Sequence, residues 1–172
     1  MEIITRDRPA FANLHVKMNA GDRITAEADA MASMSTTLTI KTRWNGGFIG
    51  AVLRRIFGGE TLFINEFIAN APGELVLTQP FPGDIECMEL NGTSLFLQPG
   101  AYLASESGVK LGVQWAGFAS WIGGEGLFRL KVSGTGKVWF GAYGGIFAKE
   151  IDGPFVVDTG HLVAYEPTVG MK

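Results

Sequence analysis

Apolar and polar residues alternate along most of this chain. Leu14, Val16 and Met18 are separated by polar neighbours, as are Leu38 and Ile40 in the threonine-rich run 36–42. Further short strand candidates are 61–68, 74–79, 84–90, 94–98, 109–115, 127–133, 137–143, 146–151 and 154–158, with Gly, Pro, Asn or Asp between the runs. A period of two sets every second side chain on one face of a strand, and the runs are rich in Val, Ile, Phe, Trp and Thr. The pattern predicts an all-β fold of many short strands in sandwich- or prism-like units. Asn91-Gly92 and Asp152-Gly153 are the strongest hairpin signals, because both central residues of a type I′ turn need φ > 0. One stretch departs from the rule. In 47–57, Phe48, Ile49, Val52, Leu53, Ile56 and Phe57 form a helical stripe with Arg54 and Arg55 off it, bracketed by glycine pairs. Its counterpart, 113–122, holds Trp115, Phe118, Trp121 and Ile122 without a charge, so one or two short helical turns are expected.

The pattern also copies itself. Gly58-Gly59-Glu60-Thr61-Leu62-Phe63 returns as Gly123-Gly124-Glu125-Gly126-Leu127-Phe128, and Asn91-Gly92 returns as Asp152-Gly153. Three openings place a glycine before a short apolar strand: Gly21 before Ile24-Thr25-Ala26-Glu27, Gly100 before Leu103-Ala104-Ser105-Glu106, and Gly160 before Leu162-Val163-Ala164. Repeats of this period stack on one shared core. The expectation is a single domain, 1–172, with units over approximately 20–98 and 99–158 and an incomplete third unit over 159–172. The third unit lacks a Gly-Gly-Glu block, so it is either degenerate or cut short, and the sequence favours the second reading.

Composition narrows the function. With 47% hydrophobic and 18% charged residues among 172, the chain can bury a real core and is not disordered. A net charge of −3 lacks the basic footprint of a general nucleic-acid binder. Cys87 is the single cysteine, which excludes an internal disulfide and a four-cysteine zinc site. The opening residues do not resemble a signal peptide, and no run approaches the ~18–20 apolar residues of a membrane span, so a cytoplasmic location is expected.

Several residues invite chemical readings. Glu60 and Glu125 hold equivalent places in two repeats and could form an acid–base pair or a hard-metal site. A need that recurs with the repeat is more naturally structural. Asp158-Thr159-Gly160-His161 contains the aspartic-protease triplet, but that chemistry needs two aspartates, and the matching triplet is Gln98-Pro99-Gly100. His15 and His161, the two histidines, have no metal-ligand spacing. Cys87 reads as a small core residue. Gly134-Thr135-Gly136-Lys137 lacks the rest of a phosphate loop, so its glycines read as turn residues. The stripe at 47–57 could touch a membrane surface but more simply caps the core.

The blocks Gly58-Gly59-Glu60-x-Leu62-Phe63, Pro82-Gly83, Gly123-Gly124-Glu125-Gly126-Leu127-Phe128, Gly134-x-Gly136 and Val157-Asp158-Thr159-Gly160-His161-Leu162-Val163-Ala164 resemble the altered inheritance of mitochondria protein 24 family. The resemblance implies an internally duplicated β fold grouped with the tryptophan RNA-binding attenuation protein-like folds. It supplies no established catalytic residue. Mitochondrial members are associated with inner-membrane organisation, which implies scaffolding rather than turnover. Family members continue into a further Gly-Glu-Gly-Leu block, in line with a third unit cut short. The expected function is a non-enzymatic scaffold that forms homo-oligomers, with no cofactor, no metal and no nucleic-acid partner. Its contact surface is expected among Trp115, Phe118, Trp121, Trp139, Phe140, Tyr143 and Phe147. The alternative is a small-molecule or peptide binding module with a pocket between repeats, lined by Glu60, Glu125, Asp158 and His161.

Overall fold

The structure, a computed structural model, describes residues 1–44, 63–98, 100–115 and 128–171. The stripe at 47–57, most of its counterpart, Glu60 and Glu125 lie outside the described residues.

Alternation builds two antiparallel sheets. The smaller has the order β1 (Glu2–Arg6), β2 (Asn13–Met18), β7 (Gly73–Thr78) and β4 (Met31–Met34). The larger runs β12 (Ala164–Tyr165), β8 (Gly83–Leu97), β11 (Phe128–Tyr143), β9 (Tyr102–Glu106), β3 (Arg23–Glu27), β6 (Phe63–Ala69) and β5 (Leu38–Trp44), with β10 (Val109–Trp115) also on β11. Among the described residues there are also two 3-10 turns, Ala28–Ala30 and Thr159–His161.

The larger sheet has a buried face on each side. Leu14, Val16 and Met18 of β2 and Leu75 and Leu77 of β7 pack with Ile24, Phe67, Leu103 and Trp139 in one core. Leu130, Val132, Val138 and Phe140 of β11 join Leu90, Leu95, Leu97 and Tyr102 in a second. Successive residues Val138, Trp139 and Phe140 thus alternate between two cores, as a pleated strand requires. Tyr102 is buried, and its hydroxyl lies 2.8 Å from Ser105 Oγ and donates to the Thr25 carbonyl at 3.3 Å. Burial first, and the nearby Glu27 charge, push the phenol above its ordinary range. Tyr102→Phe removes these bonds and strands the buried Ser105 hydroxyl, so it is expected to cost about 1–2 kcal/mol in chemical denaturation. A loss below a few tenths of a kcal/mol would contradict this bonding.

The sequence-equivalent openings meet at the centre of the large sheet. β3 and β9 pair antiparallel as Ile24↔Glu106, Thr25↔Ser105 and Ala26↔Ala104, a local two-fold between Ile24-Thr25-Ala26-Glu27 and Leu103-Ala104-Ser105-Glu106. The hairpin of β5 and β6 ends on Trp44↔Phe63, and that of β10 and β11 ends on Trp115↔Phe128.

Three readings from the sequence are corrected. Asn91-Gly92 is not a hairpin turn: 84–90 and 94–98 fuse into the single strand β8. Thr93 pairs with Gly134 and Asn91 with Thr135, so Gly92, at φ 76°, is the extra residue of a bulge. The apolar phase changes there, from Met88 and Leu90 to Leu95 and Leu97. The bulge absorbs the change, so both halves of β8 face the second core. Gly134 and Gly136 are likewise not turn residues but lie inside β11, which fuses 127–133 with 137–143. Along one edge β11 pairs β8; along the other it pairs β10 and then β9, and the two glycines sit where those partners change. Finally, 146–151 and 154–158 form no strand, and Gly153, at φ 99°, makes a bend rather than a hairpin.

Candidate functional site

Two of the four candidate polar residues are described, and they serve their own turn. Asp158 Oδ1 accepts from the Gly160 N–H at 2.9 Å and lies 3.5 Å from His161 Nδ1. The His161 N–H donates to the Asp158 carbonyl. Their side chains are 79% and 84% exposed, which suits a turn and offers no shielded chemistry. His15 stands on β2, opposite Ile4 and Val76 in the smaller sheet. Among the described residues no three His, Cys, Asp or Glu side chains form a group that could hold a metal ion. Cys87 is exposed on β8 rather than in the core. Local burial, then the flanking carboxylates Glu86, Glu106 and Glu89, raise its thiol pKa against the pull of Lys137, so it is a poor nucleophile.

An ion cluster that the sequence does not announce lies at the start of β8. Arg8 grips Asp84 with Nε to Oδ1 at 2.7 Å and Nη2 to Oδ2 at 2.8 Å, and Nη2 also reaches Glu86 Oε2 at 2.7 Å. The Asp84 side chain is only 3% exposed. Its carboxylate also accepts from the N–H groups of Ile85 and Ile146. The Arg8 fork holds the Asp84 carboxyl below the usual range against its own desolvation. Ile85 and Cys87 donate their N–H groups to the Asp84 and Glu86 carboxylates, so these bonds cap the outer edge of β8. Arg8 and Asp84 are 76 residues apart in the chain, and no local pattern links them.

The same corner gathers exposed aromatic rings. Gly83 bridges to Phe11 on one side and to Gly144 on another, and it pairs with Tyr143. A Cβ on Gly83 would collide with the Ala142 carbonyl, so only glycine lets these segments converge. Phe11 and Tyr143, backbone neighbours of Gly83, and Phe81, two residues before it, are exposed at 68%, 81% and 38%. From there the chain leaves as a strap, 144–163, whose Phe147 and Val156 are 87% and 94% exposed and whose Ile151, Phe155 and Val157 are also open. Lys149 Nζ lies 5.0 Å from the Phe155 ring and holds the two limbs of the strap across the Gly153 bend. These apolar side chains stand open to solvent on both limbs of the strap. The expected contact surface divides accordingly. Tyr143 and Phe147 are exposed, Trp139 and Phe140 are core because alternation turns them inward, and the side chains of Trp115, Phe118 and Trp121 lie outside the described residues.

A separate open groove of about 580 Å³ is lined by Asp22, Arg23, Glu89, Glu106 and Thr135 among others. Neither Asp158 nor His161, the two candidates among the described residues, is part of its lining. Among the described residues, no helix is long and apolar enough to cross a membrane.

The comparisons agree with the architecture. The family model described as mitochondrial biogenesis AIM24 matches residues 4–172. An uncharacterised protein of Streptococcus pyogenes serotype M6 is 27% identical over 164 residues, which is 90% of this chain and 66% of that protein. A crystal structure of a Streptococcus pyogenes protein superposes with a TM-score of 0.76 at 25% identity, covering 97% of this chain and 76% of that one. The chain thus spans about two thirds to three quarters of the length of these relatives.

Proposed function

Because the chain belongs to the mitochondrial biogenesis AIM24 family, we propose that it is a non-enzymatic β scaffold that works by associating with itself. The observation supporting this reading is the exposed aromatic surface around Gly83 and along the strap. Soluble monomers rarely leave contiguous apolar patches beyond a few hundred Å² uncovered. Aromatic residues are also enriched where proteins meet. The described polar candidates add no catalytic arrangement: Asp158 and His161 are exposed and bonded within one turn. A small-molecule site has less support, since the groove beside Glu106 is polar and open where ligand pockets are concave and mostly apolar.

Size-exclusion chromatography with light scattering, run on a dilution series, tests the reading. A homo-oligomer that dissociates on dilution is expected, and Phe147→Ser with Val156→Ser should weaken it while leaving the circular dichroism of the sheets unchanged. A strictly monomeric chain at ~100 μM would overturn the proposal, because a standard interface holds well below that concentration.

A further inference from the structure

We propose that the pair of Arg8 and Asp84 is a latch for the strap: by neutralising a carboxylate that the strap covers, Arg8 keeps the near limb, 144–152, on the sheet. The latch goes beyond self-association and does not depend on it. The first observation is that three distant segments meet on one carboxylate. β8 supplies Asp84, whose side chain is 3% exposed. The strap supplies the Ile146 N–H, which donates to that carboxylate, and the Gly144 carbonyl, which accepts from the Asp84 N–H at 2.8 Å. The loop 7–12 supplies Arg8, and its own bonds hold it ready. The Asp7 carbonyl accepts from the Phe11 N–H at 3.2 Å, and Asp7 Oδ2 accepts from Asn13 Nδ2 at 2.8 Å. The Ala12 N–H donates to the Gly83 carbonyl at 2.9 Å. Arg8 thus reaches Asp84 from a loop built on β2 and β8, not from the strap.

The second observation is how unequally the two ends of the strap are fixed. At the far end the Gln98 N–H donates to the Val163 carbonyl at 2.9 Å, and Ala164 and Tyr165 pair with Leu97 and Phe96. Val163 and Ala164 also pack on the second core. The near end has no residue in either core. Besides its two bonds to Asp84, it has one of 3.3 Å from the Gly144 N–H to the Pro82 carbonyl. Among the described residues, no backbone hydrogen bond ties 147–157 to either sheet. Segments with so few ties are the ones that open locally. A carboxylate buried without its cation is costly, and the cost falls once water reaches it. β8 and β11 pair along their whole common length and do not part for it. The wall that yields is the near limb of the strap. Arg8 removes the need to yield and so holds the limb down. Phe147 directly follows Ile146, so the latch also sets where the exposed aromatic surface lies.

Native-state hydrogen exchange tests the latch, with Arg8→Met and Arg8→Lys run beside the unmodified chain at one low concentration and in rising, sub-denaturing urea. The Ile146 and Asp84 amides report the near limb, and the Val138 and Leu75 amides report the sheets. In Arg8→Met the near-limb amides should exchange at least about tenfold faster, at a rate that urea leaves unchanged, because a local opening exposes little surface. Arg8→Lys keeps the charge but not the two-pronged grip, so it should recover part of the loss. Should Arg8→Met not fold, Arg8→Lys alone decides, by an expected rise of at least about threefold. Near-limb amides that exchange as in the unmodified chain would overturn the latch. So would near-limb amides that accelerate only in step with Val138 and Leu75 as urea rises, since Arg8 would then support the whole fold and not the strap. Neither result bears on self-association, which light scattering on dilution decides separately.

Discussion

Gly134→Val is expected to destabilise the protein by at least about 3 kcal/mol, several times the loss from Gly92→Ala. Both glycines lie inside long strands at positive φ, Gly92 at 76° and Gly134 at 121°. They differ in what surrounds them. A Cβ on Gly92 would meet nothing within 4 Å, so its replacement costs only the left-handed backbone, about 1 kcal/mol. A Cβ on Gly134 would run into the Gly108 carbonyl, and one on Gly108 would run into the Thr135 carbonyl. Two backbones touch there, and the Thr135 N–H donates to the Gly108 carbonyl at 3.2 Å. Relief would require parting β11 from the connection between β9 and β10. Urea denaturation of the two variants measures the contrast, and equal losses would mean that backbone conformation alone accounts for the glycine at both positions. Against a total stability of typically 5–15 kcal/mol, a loss of 3 is large.

Arg8→Met carries the second large effect, about 2–3 kcal/mol at neutral pH. The substitution keeps an apolar stem but leaves the Asp84 carboxylate buried without its cation. A fully buried pair broken this way loses ~3–5 kcal/mol; the smaller figure allows for Arg8 being 41% exposed, so water reaches the site. The pH dependence has a definite sign. Asp84 has a folded pKa below its unfolded one, so its stabilisation is present above the ordinary carboxylate pKa of about 3.9 and is lost as the pH falls through the folded value. In Arg8→Met only desolvation and the backbone donors remain, so the folded pKa rises and that stabilisation disappears. The gap between the two proteins should therefore be widest near pH 7 and narrow as the pH falls below about 4, closing as Asp84 is protonated in the folded unmodified protein. Denaturation midpoints at pH 7 and pH 3 test this. A gap that is the same at both would place the loss in packing of the Arg8 stem rather than in the charge.

What was legible in the sequence followed from the period of two. Leu14, Val16 and Met18 are core because a strand with one dry face must alternate, and that constraint is local. The short openings after Gly21 and Gly100 became β3 and β9 for the same reason. Sequence reasoning failed where a local signal has two structural outcomes. Asn-Gly serves a hairpin turn and a strand bulge equally well, since both need positive φ. The choice at Asn91-Gly92 was made by β11, which runs unbroken past both halves of β8 and pairs with each.

The candidate site shows the same division. Asp158 and His161 were visible as a polar cluster because they are three residues apart, and the structure keeps them as a turn. Arg8 with Asp84 was invisible because the pair closes across 76 residues, a distance over which no periodicity carries information. The exposed strap was half visible. Its composition predicts strands at 146–151 and 154–158, but a strand exists only where a neighbour supplies its hydrogen bonds.

The sequence by itself thus determined the β class, the family and the inward phase of strands such as β2, because side-chain alternation and glycine placement act within a few residues. Tertiary structure alone decided which glycines are turns and which are bulges, that Trp139 and Phe140 face two different cores, and that Arg8 holds Asp84. It also decided that Phe11 and Tyr143 come to lie beside Gly83 with both side chains exposed. These depend on which distant backbones come to lie side by side, and that is settled by the packing of whole sheets.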